Sequence, residues 1–301
     1  MNRLRLSSYL VVVLTLTHTN LGWCQTTGAT TALTAQKTQS LVHVASKVPI
    51  RLYWGYAVIV EGSIGNVQKL NFLVDTGAYP SVVDQKIARN LGLAEQPGRV
   101  NLSKKSVEAR LVVLPSLLLG PLYAESLPVL MEDLSYFQKI LGHKVDAIVG
   151  LDVLRKSSFA IDYRTKEMLF GPIETLTLCT PFDTDTPVVT IRMQFQNRRL
   201  RLVVDTGGPD LMLFQSRVPE TASLPVLGTE NVADVSGTFQ RRQVRIPGIF
   251  LGKEAIGAQE IFVVNDQKDD GDDFDGVLGV RGLRFSKIAF DFEHRMFWWQ
   301  P

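Results

Sequence analysis

The sequence predicts an all-β protein made of two pseudo-symmetric, β-barrel-like lobes with few and short helices. Two observations carry this prediction. Apolar and polar residues alternate at the period of two that strands require, and a set of motifs recurs in the same order about 130 residues apart. The recurrence indicates a duplicated unit, and the alternation indicates that each unit is built from sheet.

The clearest predicted strand covers residues 189–196 (VTIRMQFQ), where every odd position is apolar and every even position is polar. Such alternation places the two sets on opposite faces of a sheet. After a turn at residues 196–197, residues 199–202 (RLRL) continue the pattern. Helices are predicted at only two places. One covers residues 84–91, capped by Asp84 and ended by Gly92, and the other covers residues 135–141.

The internal repeat is the decisive feature of the sequence. Residues 72–77 (FLVDTG) recur as residues 202–207 (LVVDTG), so that Asp75 and Asp205 are separated by 130 positions. Residues 146–151 (DAIVGL) recur as residues 275–280 (DGVLGV), and two weaker motifs follow with nearly the same offset. The repeat predicts a first lobe over residues 48–173, a linker over residues 174–186 and a second lobe over residues 187–301.

The N-terminus is predicted to be a signal peptide over residues 1–24. Arg3 and Arg5 precede a short apolar stretch. Gly22 and Cys24 then place small residues at positions −3 and −1 of a cut after Cys24. The protein is therefore expected to be secreted or periplasmic. Lipidation of Cys24 is the alternative, and the bulky Trp23 argues against it. Residues 25–47, rich in Thr, Ala and Gln, are expected to be a flexible segment.

Composition excludes several classes of protein. The chain has 32 Lys and Arg against 30 Asp and Glu, and removal of Arg3 and Arg5 would leave no net charge. No overall basic field exists to attract nucleic acid or anionic lipid. No later stretch is apolar for long enough to span a membrane. Without Cys24 only Cys179 remains, so the fold is expected to be held by core burial, with Cys179 half-buried and structural.

The repeated Asp-Thr-Gly motif has a specific chemistry. In each half a strand delivers an aspartate at its end, and Gly77 and Gly207 are expected to permit a sharp turn. If the halves pack about a two-fold axis, Asp75 and Asp205 meet. Two carboxyls in contact share one proton, so that one acts as a base toward water and the other as an acid toward a carbonyl.

With these motifs the sequence resembles the pepsin and retropepsin aspartic peptidases. The resemblance covers residues 48–299 and implies the bilobal acid-protease fold, a peptide or unfolded-protein substrate, no metal or other cofactor, and a monomer with Asp75 and Asp205 as the catalytic pair. It implies that Thr76 and Thr206 exchange hydrogen bonds that lock the two turns. It also implies one strand threaded through each active-site loop. Those strands carry Ile148, Val149 and Gly150 in the first half, and Val277, Leu278 and Gly279 in the second.

The residue after each glycine predicts the working pH. Pepsin-like enzymes carry a hydroxyl there that stabilises the neighbouring carboxylate, whereas this chain has Ala78 and Gly208. Loss of a hydrogen bond to the charged form raises the pKa of a carboxyl. Activity is therefore expected at weakly acidic to near-neutral pH.

Two alternatives to an endopeptidase stay open. The expected flap of the first half, near residues 100–111, has neither Tyr nor Gly, and a better flap tip lies at residues 236–238 beside Phe239. This departure leaves a catalytically silent peptide-binding module as one alternative. A glycosidase is the other, although glycosidases hold their two carboxyls at least about 5 Å apart.

Three further features are expected to be structural. The acidic residues 269–275 are expected to form a solvated loop rather than a calcium site, since no Glu closes an EF-hand there. Trp298 and Trp299 are expected to lie in a core strand. Two groups of arginines are expected on exposed sheet faces rather than in a nucleic-acid site. They are Arg198, Arg199, Arg201, Arg241, Arg242 and Arg245.

Overall fold

The computed structural model describes residues 46–102, 105–174, 176–183, 185–234, 237–265 and 274–301. This part of the chain is mainly β, with two sheets and few, short helices. The predicted signal peptide, its alternative lipidation at Cys24 and the acidic residues 269–273 lie outside the described residues.

The strands and helices of the described residues have the following bounds. The strands are β1 Ser46–Pro49, β2 Arg51–Tyr53, β3 Ala57–Ile64, β4 Val67–Val74, β5 Val82–Asp84, β6 Gln96–Leu102, β7 Lys105–Leu119, β8 Leu122–Glu132, β9 Ala147–Val149, β10 Phe159–Asp162, β11 Glu167–Phe170, β12 Leu178–Asp183, β13 Thr190–Phe195, β14 Arg198–Asp205, β15 Leu211–Phe214, β16 Val226–Asp234, β17 Gly237–Ile246, β18 Ile249–Leu251, β19 Glu254–Ile256, β20 Gln259–Val264, β21 Gly276–Gly279, β22 Lys287–Asp291 and β23 Met296–Gln300. The helices are α1 Gln85–Asn90, α2 Ser135–Leu141, α3 Leu151–Leu154 and a 3₁₀ helix Pro219–Ser223.

The first sheet belongs to the first half of the chain. Its order is β2-β3-β4-β9-β5-β8-β7-β6, and an additional pairing of β3 with β7 closes most of it into a ring. The second sheet follows the path β1-β11-β10-β22-β23-β12-β13-β14-β21-β15-β20-β17-β16, with β18 and β19 attached through β13. It therefore contains strands from both halves, joined by the antiparallel pair β10–β22.

The centre of each half has the same topology. β9 pairs in parallel with β4 and antiparallel with β5, while β21 pairs in parallel with β14 and antiparallel with β15. The motif aspartates preceding β9 and β21 fix this arrangement. Asp146 accepts the backbone N–H of Asn71 at 2.9 Å, and Asp275 accepts that of Arg201 at 2.7 Å. The two predicted repeats thus have the same hydrogen-bond pattern around these aspartates.

Both predicted helices are confirmed. In α1 the Asp84 carboxylate caps the N-terminus by accepting the N–H of Lys86 at 2.9 Å, and Gly92 follows with a φ of 64°. The second predicted helix has the bounds of α2, and it ends at Gly142 in the left-handed region. Side-chain oxygens satisfy N–H groups at a helix start, and glycine turns the chain at its end without a Cβ penalty.

The predicted alternation in β13 is correct with one exception. Ile191, Met193 and Phe195 are buried, as expected, but Thr190 is buried too. Its hydroxyl accepts a hydrogen bond from Arg201 Nε at 3.0 Å, so the polar group is satisfied inside the protein.

The prediction that all six arginines lie exposed is wrong for Arg201 and Arg241. Arg201 is buried because it pairs with Asp183 and Asp185, and Arg241 is buried because it pairs with Glu230 and Asp210. Sheet alternation would allow either residue to face solvent, and the acidic partners, which stay partly exposed, instead make the buried position of the arginine favourable.

The flanking segments are more ordered than predicted. Ser46 and Lys47, expected at the end of a flexible segment, lie in β1 and pair with Phe170 and Leu169. Part of the predicted linker forms β12, which joins β23 to β13. Trp299 is buried in β23 and Cys179 is half-buried in β12, both as expected. Within the described ranges, none of the helices combines the length and apolarity needed to cross a membrane.

Candidate active site

The two Asp-Thr-Gly turns meet at the ends of β4 and β14. Asp75 follows β4 directly, and Asp205 is the last residue of β14. The N–H of Asp75 bonds to the carbonyl of Val149 at 3.1 Å, and Asp205 lies beside Gly279 of β21. Both aspartates have no exposed surface. Each carboxyl is therefore delivered by a buried strand and fixed by the strand next to it.

Four hydrogen bonds connect the turns through their threonines. The Thr76 hydroxyl donates to the carbonyl of Val204 at 2.6 Å and accepts from the N–H of Thr206 at 3.1 Å. Thr206 returns the pattern, donating to the carbonyl of Val74 at 2.9 Å and accepting from the N–H of Thr76 at 3.0 Å. Each hydroxyl is thus donor and acceptor at once, and both turns are held at a fixed separation.

The glycines of the turns serve a different purpose from the one expected. Neither Gly77 nor Gly207 has a positive φ, so the backbone conformation alone would accept other residues. A Cβ on Gly207 would instead lie 2.6 Å from Asp75 Oδ2, and one on Gly77 would lie 3.0 Å from the Asp205 carboxyl carbon. Glycine is required because each carboxyl packs against the opposite turn.

Backbone N–H groups hold one oxygen of each carboxyl. Asp75 Oδ1 accepts from Gly77 at 2.8 Å, while Asp205 Oδ1 accepts from Gly207 at 2.7 Å and Gly208 at 3.0 Å. Asp75 Oδ2 and Asp205 Oδ2 are buried and receive no hydrogen bond from a donor in the described part of the chain. These two oxygens are the ones available to a shared proton and to a substrate.

The pKa values of the two carboxyls are raised. Burial, then the charge of Asp205, raises the pKa of Asp75 well above its usual range. Burial raises the pKa of Asp205 to about 6, against the neighbouring Asp75 carboxyl and the hydrogen bonds from Gly207 and Gly208, which lower it. The pair therefore holds one proton near neutral pH, because two buried charges in contact are unfavourable.

The residues after the glycines bring no hydroxyl to the site. Ala78 and Gly208 are buried, and their carbonyls accept the N–H groups of Leu151 at 2.9 Å and Val280 at 3.2 Å. These two bonds occupy equivalent places in the two halves. They attach each aspartate loop to the chain that follows the threaded strand.

The predicted threading residues pass directly beneath the turns. Ile148 and Val149 lie in β9, and Val277 and Leu278 lie in β21, all buried. The glycines that follow are again needed for close approach. A Cβ on Gly150 would lie 2.3 Å from the carbonyl oxygen of Ala78, and one on Gly279 would lie 2.4 Å from the N atom of Asp210.

A brace in the first half was not anticipated from the sequence. Ser81 donates its hydroxyl to Asp152 Oδ1 at 2.6 Å and its N–H to Asp152 Oδ2 at 2.9 Å, and it accepts the N–H of Gly150 at 2.9 Å. Burial raises the pKa of the Asp152 carboxyl, which these hydrogen bonds oppose. The brace ties the loop after Asp75 to α3.

The second half has a charged cluster in the equivalent place, also missed by sequence reasoning. Asp210 lies five residues after Asp205 and contacts Arg241 at 3.3 Å and Arg281 at 3.5 Å. Glu230 contacts Arg241 Nε at 2.7 Å. The signal that could have revealed the cluster is Asp210 itself, because the repeat places the apolar Pro80 at that position of the first loop.

Each half also has a hairpin at the place expected for a flap. β6 and β7 pair in the first half, and β16 and β17 pair in the second. The connections at residues 103–104 and 235–236 lie outside the described residues. Across the described ranges, no group of three or more His, Cys, Asp or Glu side chains is placed to hold a metal ion.

Comparison with known proteins gives one match. Residues 60–153 match a family model described as aspartyl protease. The matched stretch includes the first Asp-Thr-Gly turn and the threaded strand β9, and it ends before the second half begins. This part of the chain is therefore similar to aspartyl protease domains. No curated protein matches the chain.

Proposed function

We propose that the protein is an aspartic endopeptidase in which Asp75 and Asp205 form the catalytic pair. The observation that carries the proposal is the contact of two fully buried carboxyls, one from each Asp-Thr-Gly turn, with one oxygen of each left without a protein donor in the described chain. The aspartyl protease domain over residues 60–153 supports the assignment of the first of these turns.

The asymmetry of the pair assigns a role to each carboxyl. Gly207 and Gly208 donate to the Asp205 carboxyl at 2.7 and 3.0 Å, whereas burial and the charge of Asp205 raise the pKa of Asp75 well above its usual range; the negative charge is therefore assigned to Asp205 and the proton to Asp75. Asp205 then takes a proton from water as the water oxygen attacks the peptide carbonyl carbon. Asp75 gives its proton to the carbonyl oxygen, which yields a tetrahedral diol. As the diol collapses, Asp205 gives its proton to the leaving nitrogen, Asp75 takes a proton from a diol hydroxyl, and the C–N bond breaks, which restores the starting state of the pair.

The proposal includes the bilobal acid-protease fold and a monomeric enzyme. The mirrored strands β4, β9 and β5 against β14, β21 and β15 support two equivalent halves, and one chain supplies both carboxyls. A peptide in extended conformation would lie between the halves, under the two hairpins. No cofactor is needed, because the carboxyl pair supplies both acid and base.

The test is cleavage of an unstructured protein substrate by the wild type and by Asp75→Asn and Asp205→Asn. An amide can neither take a proton from water, as Asp205 does, nor give one to the carbonyl oxygen, as Asp75 does, so each variant is expected to lose at least about 100-fold in kcat/KM. A statine-type transition-state mimic is expected to inhibit the wild type. The exposed Asp133, changed to Asn, is the control and keeps its activity. Cleavage that survives either dyad substitution contradicts the mechanism.

The same experiment separates the alternatives. A silent peptide-binding module would bind the peptide without cleaving it, and a glycosidase would act on a sugar substrate instead. The contact between the two carboxyls opposes a glycosidase, which needs room for a sugar between its carboxyls.

Export of the protein is part of the proposal and rests on the sequence of residues 1–24 alone. The mature protein is expected to begin near residue 25 and to be found in the secreted or periplasmic fraction. Mass spectrometry of the mature N-terminus checks this, and Cys24→Ser identifies lipidation, because only a lipoprotein would lose its membrane association on that change.

A further inference from the structure

Arg281 lies where the two halves meet, beside the loop that holds Asp205. It follows Val280, whose N–H bonds to the carbonyl of Gly208. Its guanidinium faces the ring of Tyr56, with 5.5 Å between the guanidinium carbon and the ring centre. Tyr56 belongs to the first half, between β2 and β3, and is buried.

Electrostatic coupling places this junction close to the candidate dyad. Burial raises the pKa of Tyr56 to about 12. The charges that act on its hydroxyl are, in decreasing order, those of Arg281, Asp210, Asp205 and Arg241. The hydrogen bond from Val280 to Gly208 attaches Arg281 to the Asp205 loop, and both Arg281 and Asp205 act on the phenol, so Arg281 lies at the junction on the side of Asp205.

The charges of the cluster are unequally satisfied. Arg241, 1% exposed, pairs with Glu230 through two of its nitrogens and also contacts Asp210. Arg281 is 44% exposed, and its one hydrogen bond to the described residues is the 3.5 Å contact with Asp210, longer than an ordinary charged hydrogen bond. Asp210 is shared between Arg241 and Arg281 and occupies only one N–H donor of Arg281. The other N–H donors of Arg281 are available to a ligand.

The two halves differ in charge at this position. The repeat places Asp152 where the second half has Arg281, and Asp152 is fully engaged by Ser81. One side of the dyad is therefore flanked by an internally satisfied carboxyl, and the other by a partly exposed cation. A guanidinium with free donors binds a carboxylate through parallel hydrogen bonds.

We propose that Arg281, held in place by Asp210 and Tyr56, forms a subsite for an acidic side chain of the peptide substrate. Arg241 is buried and sets the position of Asp210, and Arg281 makes the contact with substrate. The proposal rests on the proposed function for its substrate class, a peptide lying between the halves. It adds a charge preference that the dyad itself does not provide.

The test uses pairs of peptides blocked at both ends that differ only by Glu or Gln at one position, scanned along both sides of the cleaved bond. Blocking the ends removes the terminal carboxylate, so a preference reports the side chain. Wild type is expected to prefer Glu at one position by about tenfold, through KM rather than kcat. High salt is expected to weaken the preference.

Variants identify the residue responsible. Arg281→Gln is expected to lose the Glu preference, Arg281→Lys to keep part of it, and Arg281→Glu to prefer a Lys peptide at the same position. The matched control is Arg284→Gln, an exposed arginine three residues away, which keeps the wild-type preference. A thermal unfolding curve for each variant shows that it is folded. An unchanged Glu preference in Arg281→Gln overturns the proposal.

A binding measurement separates this inference from the proposed function. The same peptide pairs, labelled with a fluorophore, are titrated with Asp75→Asn and with Asp75→Asn combined with Arg281→Gln. Binding of the Glu peptide that depends on Arg281, without cleavage by wild type, supports the subsite and contradicts the endopeptidase. Cleavage without a charge preference at any position supports the endopeptidase and refutes the subsite. If the peptides are neither bound nor cleaved, both the subsite and the endopeptidase are refuted.

Discussion

Gly207 shows how closely the Asp75 carboxyl packs against the opposite turn. A Cβ there would lie 2.6 Å from Asp75 Oδ2, so alanine must displace either the carboxyl or the turn. Because catalytic groups act only in narrow geometry, Gly207→Ala is expected to lower kcat/KM by about 100-fold. Gly257→Ala is the control, since a Cβ at that position meets no atom within 4 Å. Wild-type activity in Gly207→Ala would show that the carboxyls need not pack against the turns.

The raised pKa values of the two aspartates predict the pH range of activity. With the pKa of Asp205 raised to about 6 and that of Asp75 raised well above its usual range, the singly protonated pair is expected near neutral pH, and activity is expected to peak there. A peak below about pH 3, within the range of the pepsin pair, would contradict this expectation.

A hydroxyl at position 78 is expected to shift the acid limb of the pH profile. Ala78→Ser places a donor beside the charged form of the pair, which lowers the pKa of the first ionisation, so activity should extend to lower pH by about one unit. The measurement is kcat/KM against pH. Ala88→Ser, at a buried alanine in α1, serves as the control. An acid limb that does not move would exclude this explanation of the raised pKa.

The buried carboxyls also make stability depend on pH. The pKa of Asp205 is raised from 3.8 in the unfolded chain to about 6 in the folded protein. The stability that its protonated carboxyl contributes is therefore fully present below the pKa of the unfolded chain and is lost as the pH rises through about 6. Asp205→Asn removes this titration. Relative to wild type, its free energy of unfolding should rise by about 1–3 kcal/mol between pH 4 and pH 7. Urea unfolding at both pH values measures the difference, and a constant difference would contradict the shift.

At the scale of elements, the ends of β4 and β14 are joined mainly by the two threonines. Thr76→Val keeps the shape of the side chain but leaves the buried carbonyl of Val204 and the N–H of Thr206 without their partner. Each unpaired group costs about 1–3 kcal/mol, so a loss of about 2–4 kcal/mol in unfolding free energy is expected, with a loss of activity.

Thr76→Ser is the matched control for this prediction, because it keeps the hydroxyl and loses only a methyl group. Urea unfolding and kcat/KM are measured for both variants. Valine and serine variants of equal stability would show that the hydroxyl does not hold the turns together.

At the scale of the whole molecule, the candidate site depends on both halves, because each supplies one aspartate. β10 of the first half pairs with β22 of the second, and rings from both halves pack there, with 4.9 Å between the centres of Phe159 and Phe290. Apolar burial of this kind holds the halves together. The distance between Asp75 and Asp205 is therefore set by the packing of the entire protein as well as by the threonines.

A single chain is expected to be fully active. Since both carboxyls come from one chain, the activity per molecule should not change on dilution, whereas a homodimeric enzyme would lose activity as it dissociates. Sedimentation and kcat measured over a wide range of protein concentrations test this. Activity that falls on dilution, together with a falling mass, would contradict the monomer.

The sequence by itself predicted the β-rich class, the helices at α1 and α2, the duplicated unit and the two aspartates. These features depend on local pattern: alternation of apolar residues, capping by Asp84, and motifs repeated at a constant offset. Each is determined by residues close together in the chain, or by comparison of the chain with itself. For that reason it can be predicted from the sequence alone.

Only the tertiary structure decided the reason for Gly77 and Gly207, the burial of Arg201 and Arg241, and the meeting of Tyr56 with Arg281. All of these depend on residues far apart in sequence. Whether an arginine in a strand faces water or is buried against an acid is decided by the partner that folding brings to it, and whether a turn tolerates a Cβ is decided by the opposite half. The local sequence pattern contains neither the partner of the arginine nor the space around the turn.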